Sequence, residues 1–231
     1  MIIQSSNNTK LYGLAKYFNE ISYLYKKKKM PNKILLSGKK GIGKATLAYH
    51  VINYVLSKNE DFRYDPNKFI INDENKSYKL IQNKSHTNFY LIDLVDEKKS
   101  ININQVREMI NYTNKSNFND LPRFILIDNV ENLNKNSINA LLNVVEDPNE
   151  NIFFILIYDC EKRILPTLKS RCLTFNMSLS FDETVNISNL LLDGNFFDLI
   201  NYDLINYYNT PGEIIKLLNF AKEKNIDLKE K

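Results

Sequence analysis

The run Ser37-Gly38-Lys39-Lys40-Gly41-Ile42-Gly43-Lys44-Ala45-Thr46 holds the residues of this chain best suited to chemistry. Glycines at 38, 41 and 43 let successive backbone N–H groups turn toward one anion. A helix opening at Lys44 would add its partial positive charge, and the Lys44 ammonium would sit on the outer phosphates of a nucleotide. The pattern then calls for Ser or Thr, whose hydroxyl binds the magnesium that bridges the phosphates. Ala45 stands there instead and has no hydroxyl. Thr46 lies roughly 100° further round a helix, too far to substitute simply. The sequence therefore predicts a phosphate-binding loop with a damaged metal site, formed from Gly38, Gly41, Gly43, Lys44 and Thr46. ATP or ADP can be accommodated but is not required. The plainer alternative is a glycine turn before an ordinary helix.

Asp128 follows the apolar run Phe124-Ile125-Leu126-Ile127. In a phosphate-binding site of this kind such an aspartate reaches the magnesium; otherwise it caps the next turn. The following residue, Asn129, cannot accept a proton at neutral pH and so cannot activate a water. Glu131, three residues past Asp128, is expected to point elsewhere. His50 and His86 have no second ligand nearby in sequence. Cys160 and Cys172 form no zinc pattern and are expected to be buried, reduced thiols.

The elements that must hold these residues alternate. Ile34 to Leu36 is a short apolar run suited to a buried strand, and Leu47, Ala48, Val51, Ile52, Val55 and Leu56 follow at helical spacing. An amphipathic helix precedes them over residues 10–29, ended by Met30-Pro31-Asn32. Strands are expected at Phe89–Val95, Pro122–Ile127, Ile152–Tyr158 and Cys172–Phe175. Helices are expected after Asn102 or Asn104 and over Ser137–Val145, the latter stopped at Asp147-Pro148. Residues 57–85, rich in Asn, Lys and Asp, are expected to be a long surface excursion. Alternation of this kind implies a five-stranded parallel sheet with right-handed crossovers, an α/β domain over 1–177. From 178 to 231 the strands stop. Capping boxes at Ser180-Phe181-Asp182-Glu183 and Thr210-Pro211-Gly212-Glu213 predict a small helical second domain, with three helices over 181–224.

The totals narrow the class. Lys+Arg 31 against Asp+Glu 27 leaves +4, which permits nucleic acid without demanding it. Lys26 to Lys29 is expected to be a solvated helix end. The N-terminal residues carry no signal-peptide pattern and no apolar run approaches a membrane span, so a cytoplasmic protein is expected.

Phe124 to Cys172 carries Asn139-Ala140-Leu141-Leu142 leading to Glu146-Asp147-Pro148, then Leu165-Pro166-Thr167-Leu168-Lys169-Ser170-Arg171-Cys172. With the Gly41–Tyr49 segment and the stretch from His86 to Val106, the order and spacing resemble the clamp-loader branch of the AAA+ proteins over residues 10 to about 220. The resemblance implies a P-loop AAA+ sheet followed by a helical lid. It implies work in DNA replication within the DNA polymerase III assembly, a DNA-directed DNA polymerase. Its partners there are gamma/tau and delta subunits, with the sliding clamp met indirectly and primed DNA held inside the ring. Ser170-Arg171-Cys172 matches the family's Ser-Arg-Cys motif, whose arginine acts in trans on ATP held by the neighbouring subunit. A planar cation set against charge developing on the transferred phosphoryl is what an arginine finger supplies. Lys135 and Ser137 could face DNA phosphates as in related subunits, although an ordinary surface position is the simpler reading.

Departures from the active members point one way. Ala45 lacks the hydroxyl, and Asn129 replaces the water-activating glutamate. Tyr158-Asp159 stands where a polar sensor is usual, and no arginine follows Arg171 to reach the nucleotide from the lid. These losses fit the family's rigid, non-hydrolysing subunit better than the ATP-burning gamma/tau type, which is the alternative. A P-loop kinase fits less well, for the same reasons. Residues 57–85 hold no cysteine, so the zinc module of many members is not expected. Members also carry a third, helical collar domain, which is expected to be absent here because the chain stops at Lys231.

Overall fold

The computed structural model describes residues 4–94, 100–116, 119–146, 151–207 and 209–229. Strands β1 (Lys33–Gly38), β2 (Phe89–Ile92), β3 (Arg123–Ile127), β4 (Ile152–Asp159) and β5 (Leu173–Asn176) form one sheet in the order β2-β3-β4-β1-β5. Every pairing is parallel, with Ile34 opposite Ile155 and Leu173, and Phe124 opposite Phe89 and Phe153. Successive side chains on a strand point to opposite faces. Leu36, Leu126 and Ile155 therefore pack on one face, against α1 (Ala15–Lys26) and α2 (Lys44–Leu56). Leu35, Ile125 and Leu156 pack on the other, against α4 (Ile103–Thr113) and α5 (Lys135–Glu146). A sheet covered on both faces explains why its central strands are apolar without alternation. Asn102 caps α4 with Gln105 in a reciprocal capping box.

Strand β2 ends at Ile92, short of the expected Val95, which lies outside the described residues along with the expected stop at Asp147-Pro148. The expected surface excursion over 57–85 is corrected. It contains α3 (Lys76–Gln82) and buries Tyr64, Ile71 and Ile81 in the α1–α2 core. Asn53 donates to Asn75 at 2.9 Å inside it. The three apolar anchors are too far apart to produce a period, so the polar residues between them dominate the pattern.

His50, fully buried on α2, stitches this layer together. Nε2 donates to the Asn8 carbonyl at 2.9 Å, so Nδ1 accepts from the Tyr64 hydroxyl at 3.0 Å. Burial pushes the imidazole down from 6.5 to about 4, against the opposing pull of the Asn8 carbonyl. A depressed value means the unfolded chain binds the proton first, so stability is present above 6.5 and is lost as pH falls toward 4. Wild type is expected to lose about 2 kcal/mol from this group between pH 7 and pH 5. Urea unfolding at the two pH values should show a correspondingly smaller loss in His50→Gln; equal losses would remove His50 as the cause.

After β5 the described residues are helical: α7 (Phe181–Leu192), a 3₁₀ turn at Phe196–Asp198, the single-turn α8 (Tyr202–Ile205) and α9 (Pro211–Lys224). They close on their own small core of Phe196, Ile200, Ile205 and Ile214. Ser180 and Glu183 form the expected box on α7, and the Thr210 hydroxyl caps α9 by accepting from the Glu213 N–H. Remaining short helix α6 (Pro166–Lys169) precedes β5. No helix among the described residues is long and apolar enough to cross a membrane.

Candidate functional site

The loop between β1 and α2 folds as its glycines require. Gly41 and Gly43 sit at φ +86° and +93°, a region costly for any residue with a Cβ. Lys44 opens α2 and is 6% exposed. Its ammonium donates to the Gly38 and Lys39 carbonyls, each at 2.6 Å. Burial lowers its affinity for the proton, while Asp159, Asp128, Cys160 and Glu131 work against that.

Gly41, Gly43, Lys44, Thr46 and Asp128 line one cleft of about 990 Å³ at the C-terminal ends of the strands, between the sheet and the helical segment. Gly38, also expected in the site, is not among the residues that line the cleft; its carbonyl accepts from the Lys44 ammonium. The Asp128 carboxyl is pushed up to about 6, first by burial and then by Asp93, although the Asn129 N–H and Lys44 oppose the rise. Asn129 adopts a left-handed backbone at φ +57°, and its side-chain amide donates to Asp93 at 2.8 Å. The Asn129 amide is thus committed to a structural bond.

Glu131 corrects an expectation. The 3₁₀ turn Val130–Asn132 swings it into the cleft, with its side chain only 3% exposed. It pairs with Lys162 at 3.4 Å and accepts from the Asp159 N–H at 3.3 Å. Tyr158 faces the other way, its hydroxyl donating to the Lys162 carbonyl, and Ile157 and Asp159 line the cleft from β4. From the lid, Glu213 lines it as well. Asp128, Glu131, Asp159 and Glu213 line the cleft together with Lys10, Lys40, Lys44 and Lys216. Ala45 offers no hydroxyl for a magnesium ion, and the cation that α9 brings to the cleft is Lys216.

Arg171 lies away from this cleft, just before β5. Its guanidinium donates to the Thr167 carbonyl at 2.8 Å and to Glu146 at 2.7 Å, with 37% of the side chain exposed. Ser170 turns back onto the Thr167 carbonyl, and Cys172 is half-buried, its thiol raised to about 11 by burial.

Further expectations are corrected. Ser137 cannot face a phosphate: it is fully buried and donates to Ile101 and Asn134 oxygens at 3.0 Å, whereas Lys135 is exposed. Cys160 is exposed rather than buried because the chain has already left β4. Among the described residues no group of His, Cys, Asp or Glu is placed to hold a metal ion. The contributions of Glu131, Asp159 and Glu213 to the cleft carried no sequence signal, because each depends on how a turn or a distant helix meets the sheet.

Residues 13–180 match the protein family described as DNA polymerase III, delta subunit. The chain is 30% identical over 138 residues to the DNA polymerase III subunit delta' of Pseudomonas aeruginosa. That match covers 60% of this chain and 40% of the relative, so the chain spans about two fifths of the relative's length. Among solved structures, a DNA polymerase III gamma subunit-related protein from Thermotoga maritima is similar with TM-score 0.55 and 17% identity, covering 88% of this chain and 57% of that one. The RuvB Holliday junction branch migration motor of Thermotoga maritima is similar with TM-score 0.52 and 15% identity, covering 98% and 70%. Both likenesses concern the fold, a P-loop AAA+ sheet with flanking helices.

Proposed function

The chain belongs to the DNA polymerase III, delta subunit family, and from that premise we propose that it is a delta-prime-type stator of the clamp loader. It leaves its own nucleotide unhydrolysed and presents Arg171 to ATP held by a neighbouring gamma/tau subunit. The ring, completed by delta, opens the sliding clamp and places it on primed DNA in the cytoplasm. ATP or ADP could occupy the cleft without turnover, and no zinc is involved.

The observation that carries the proposal is the commitment of the Asn129 amide to Asp93, since an amide cannot take a proton from water. Arg171, by contrast, is exposed, and Thr167 and Glu146 hold its guanidinium on the protein's surface. An ion pair this exposed contributes little to stability and can be exchanged for a stronger anion.

A second reading, a working ATPase of the gamma/tau type using Thr46, has one observation in its favour: the Glu131 carboxylate lines the cleft. That carboxylate is already engaged with Lys162 and the Asp159 N–H. Steady-state assays separate the two. The purified chain is expected to hydrolyse no more ATP than its Lys44→Ala variant, yet to raise turnover when added to gamma/tau, delta, clamp and primed DNA. Intrinsic turnover abolished by Lys44→Ala would establish the ATPase instead; absence of stimulation would sink the stator.

A further inference from the structure

Carbonyls 38 to 41 of the loop each accept a hydrogen bond from within the chain. Lys44 supplies two of the donors, to Gly38 and Lys39. The Cys160 N–H also donates to Gly38, at 3.2 Å, and the helical segment supplies the donors to Lys40 and Gly41. The Thr210 hydroxyl donates to the Lys40 carbonyl at 2.8 Å, and the Gly212 N–H donates to the Gly41 carbonyl at 3.0 Å. Lys39 reaches Asn209 at 3.4 Å on the same side.

The contact is backbone against backbone. A Cβ on Gly212 would stand 2.7 Å from the Gly41 Cα and 2.9 Å from its carbonyl oxygen. A Cβ on Gly41 would stand 2.4 Å from Thr210 Oγ1. At Gly212 every obstruction is backbone that cannot swing aside; at Gly41 the Thr210 hydroxyl is backed by the Glu213 backbone nitrogen at 3.1 Å, and φ of +86° itself disfavours a Cβ. Thr210 is 2% exposed, so its hydroxyl is shielded from competing water.

We propose that the β1–α2 loop of this chain is a structural joint that clasps the helical lid to the sheet through Gly41 and Gly212. Its glycines and lysine then have a use that needs no nucleotide. Gly41 allows the lid to dock, Lys44 braces the loop from behind, and Thr210 locks it from the front. The clasp fixes the angle between lid and sheet, so the two move as one piece. It stands on packing alone and does not depend on Arg171 acting in trans.

The joint predicts how the loop yields to a protease. Trypsin cleaves after lysine, and the Lys40–Gly41 bond is the one whose carbonyl Thr210 holds. For cleavage the segment must leave the clasp and extend. The isolated full chain is digested briefly and the cut after Lys39 or Lys40 is measured by mass spectrometry, relative to cuts in the exposed Lys26–Lys29 run. Gly212→Ala is expected to raise that ratio about tenfold, although alanine favours a helix over glycine. Thr210→Val, which keeps the shape and removes the donor, is expected to raise it as well. Gly194→Ala is the control, since the nearest atom to a Cβ there is the Leu192 carbonyl oxygen at 3.9 Å; it should match wild type. A ratio unchanged or lowered in both Gly212→Ala and Thr210→Val overturns the clasp. Should Gly212→Ala not fold, Thr210→Val alone decides. No ATP and no partner enter this assay, so its failure is distinct from failure of the stator proposal.

Discussion

On the stator proposal, replacing Arg171 with alanine is expected to slow ATP turnover at the neighbouring subunit's site by about 10³-fold, the lower end of what an arginine finger contributes. A guanidinium there neutralises charge on the phosphoryl oxygens as it develops, and alanine offers nothing in its place. The substitution should scarcely touch stability, because the Arg171–Glu146 pair is 37% and 52% exposed. Arg171→Lys separates charge from geometry. Lysine keeps the positive charge but loses the planar fork, so it should recover only a small part of the rate. Single-turnover hydrolysis and clamp loading in the assembled ring would read both variants. Wild-type rates in Arg171→Ala, with assembly intact, would show that Arg171 is only a surface residue.

Asp128→Asn is expected to stabilise the chain at neutral pH. The carboxyl has a folded value of about 6 against 3.8 for the unconstrained group, with burial the main cause and Asp93 the next. A raised carboxyl is protonated more readily in the fold than in the unfolded chain. Its favourable contribution is complete below 3.8 and is lost as pH rises through 6, leaving a buried charge that the fold must carry. Asparagine has no charge to carry and can still accept from the Asn129 N–H, which lies 2.8 Å from Asp128 Oδ1. At pH 8 the variant should be more stable by about 2–3 kcal/mol, and at pH 4 the two should nearly coincide. Urea unfolding at both pH values tests this. A variant less stable than wild type at pH 8 would mean that Lys44 and its neighbours hold the carboxylate more favourably than burial penalises it.

The two predictions concern residues whose positions were legible in the sequence to different degrees. The apolar run before Gly38 and the helical spacing after Lys44 place the loop between β1 and α2, which spans Lys44–Leu56 as expected. Asp128 was legible for the same reason, since an apolar run ending in a carboxylate locates the end of a strand. Asn129 was legible as the wrong residue type for a base. Its bond to Asp93 was not, because 36 residues separate the partners and only the pairing of β2 with β3 brings them together. Helix α3 and the burial of Tyr64 and Ile71 were hidden by the polar residues around them. Ser137 looked like a surface helix residue, but its hydroxyl is spent on the Ile101 carbonyl.

The amino-acid sequence by itself determined the alternation of strands and helices, the glycine loop, and the loss of the hydroxyl and the base. Those depend on residue type and on spacing along a few turns, where local geometry is nearly the whole cause. Tertiary structure alone decided what surrounds that loop. Glu131 turned inward, Glu213 arrived from a helix far along the chain, and Gly212 came to rest on Gly41, 171 residues away. Such meetings are set by how two packed layers close on each other, and no periodicity in one segment records where another will land.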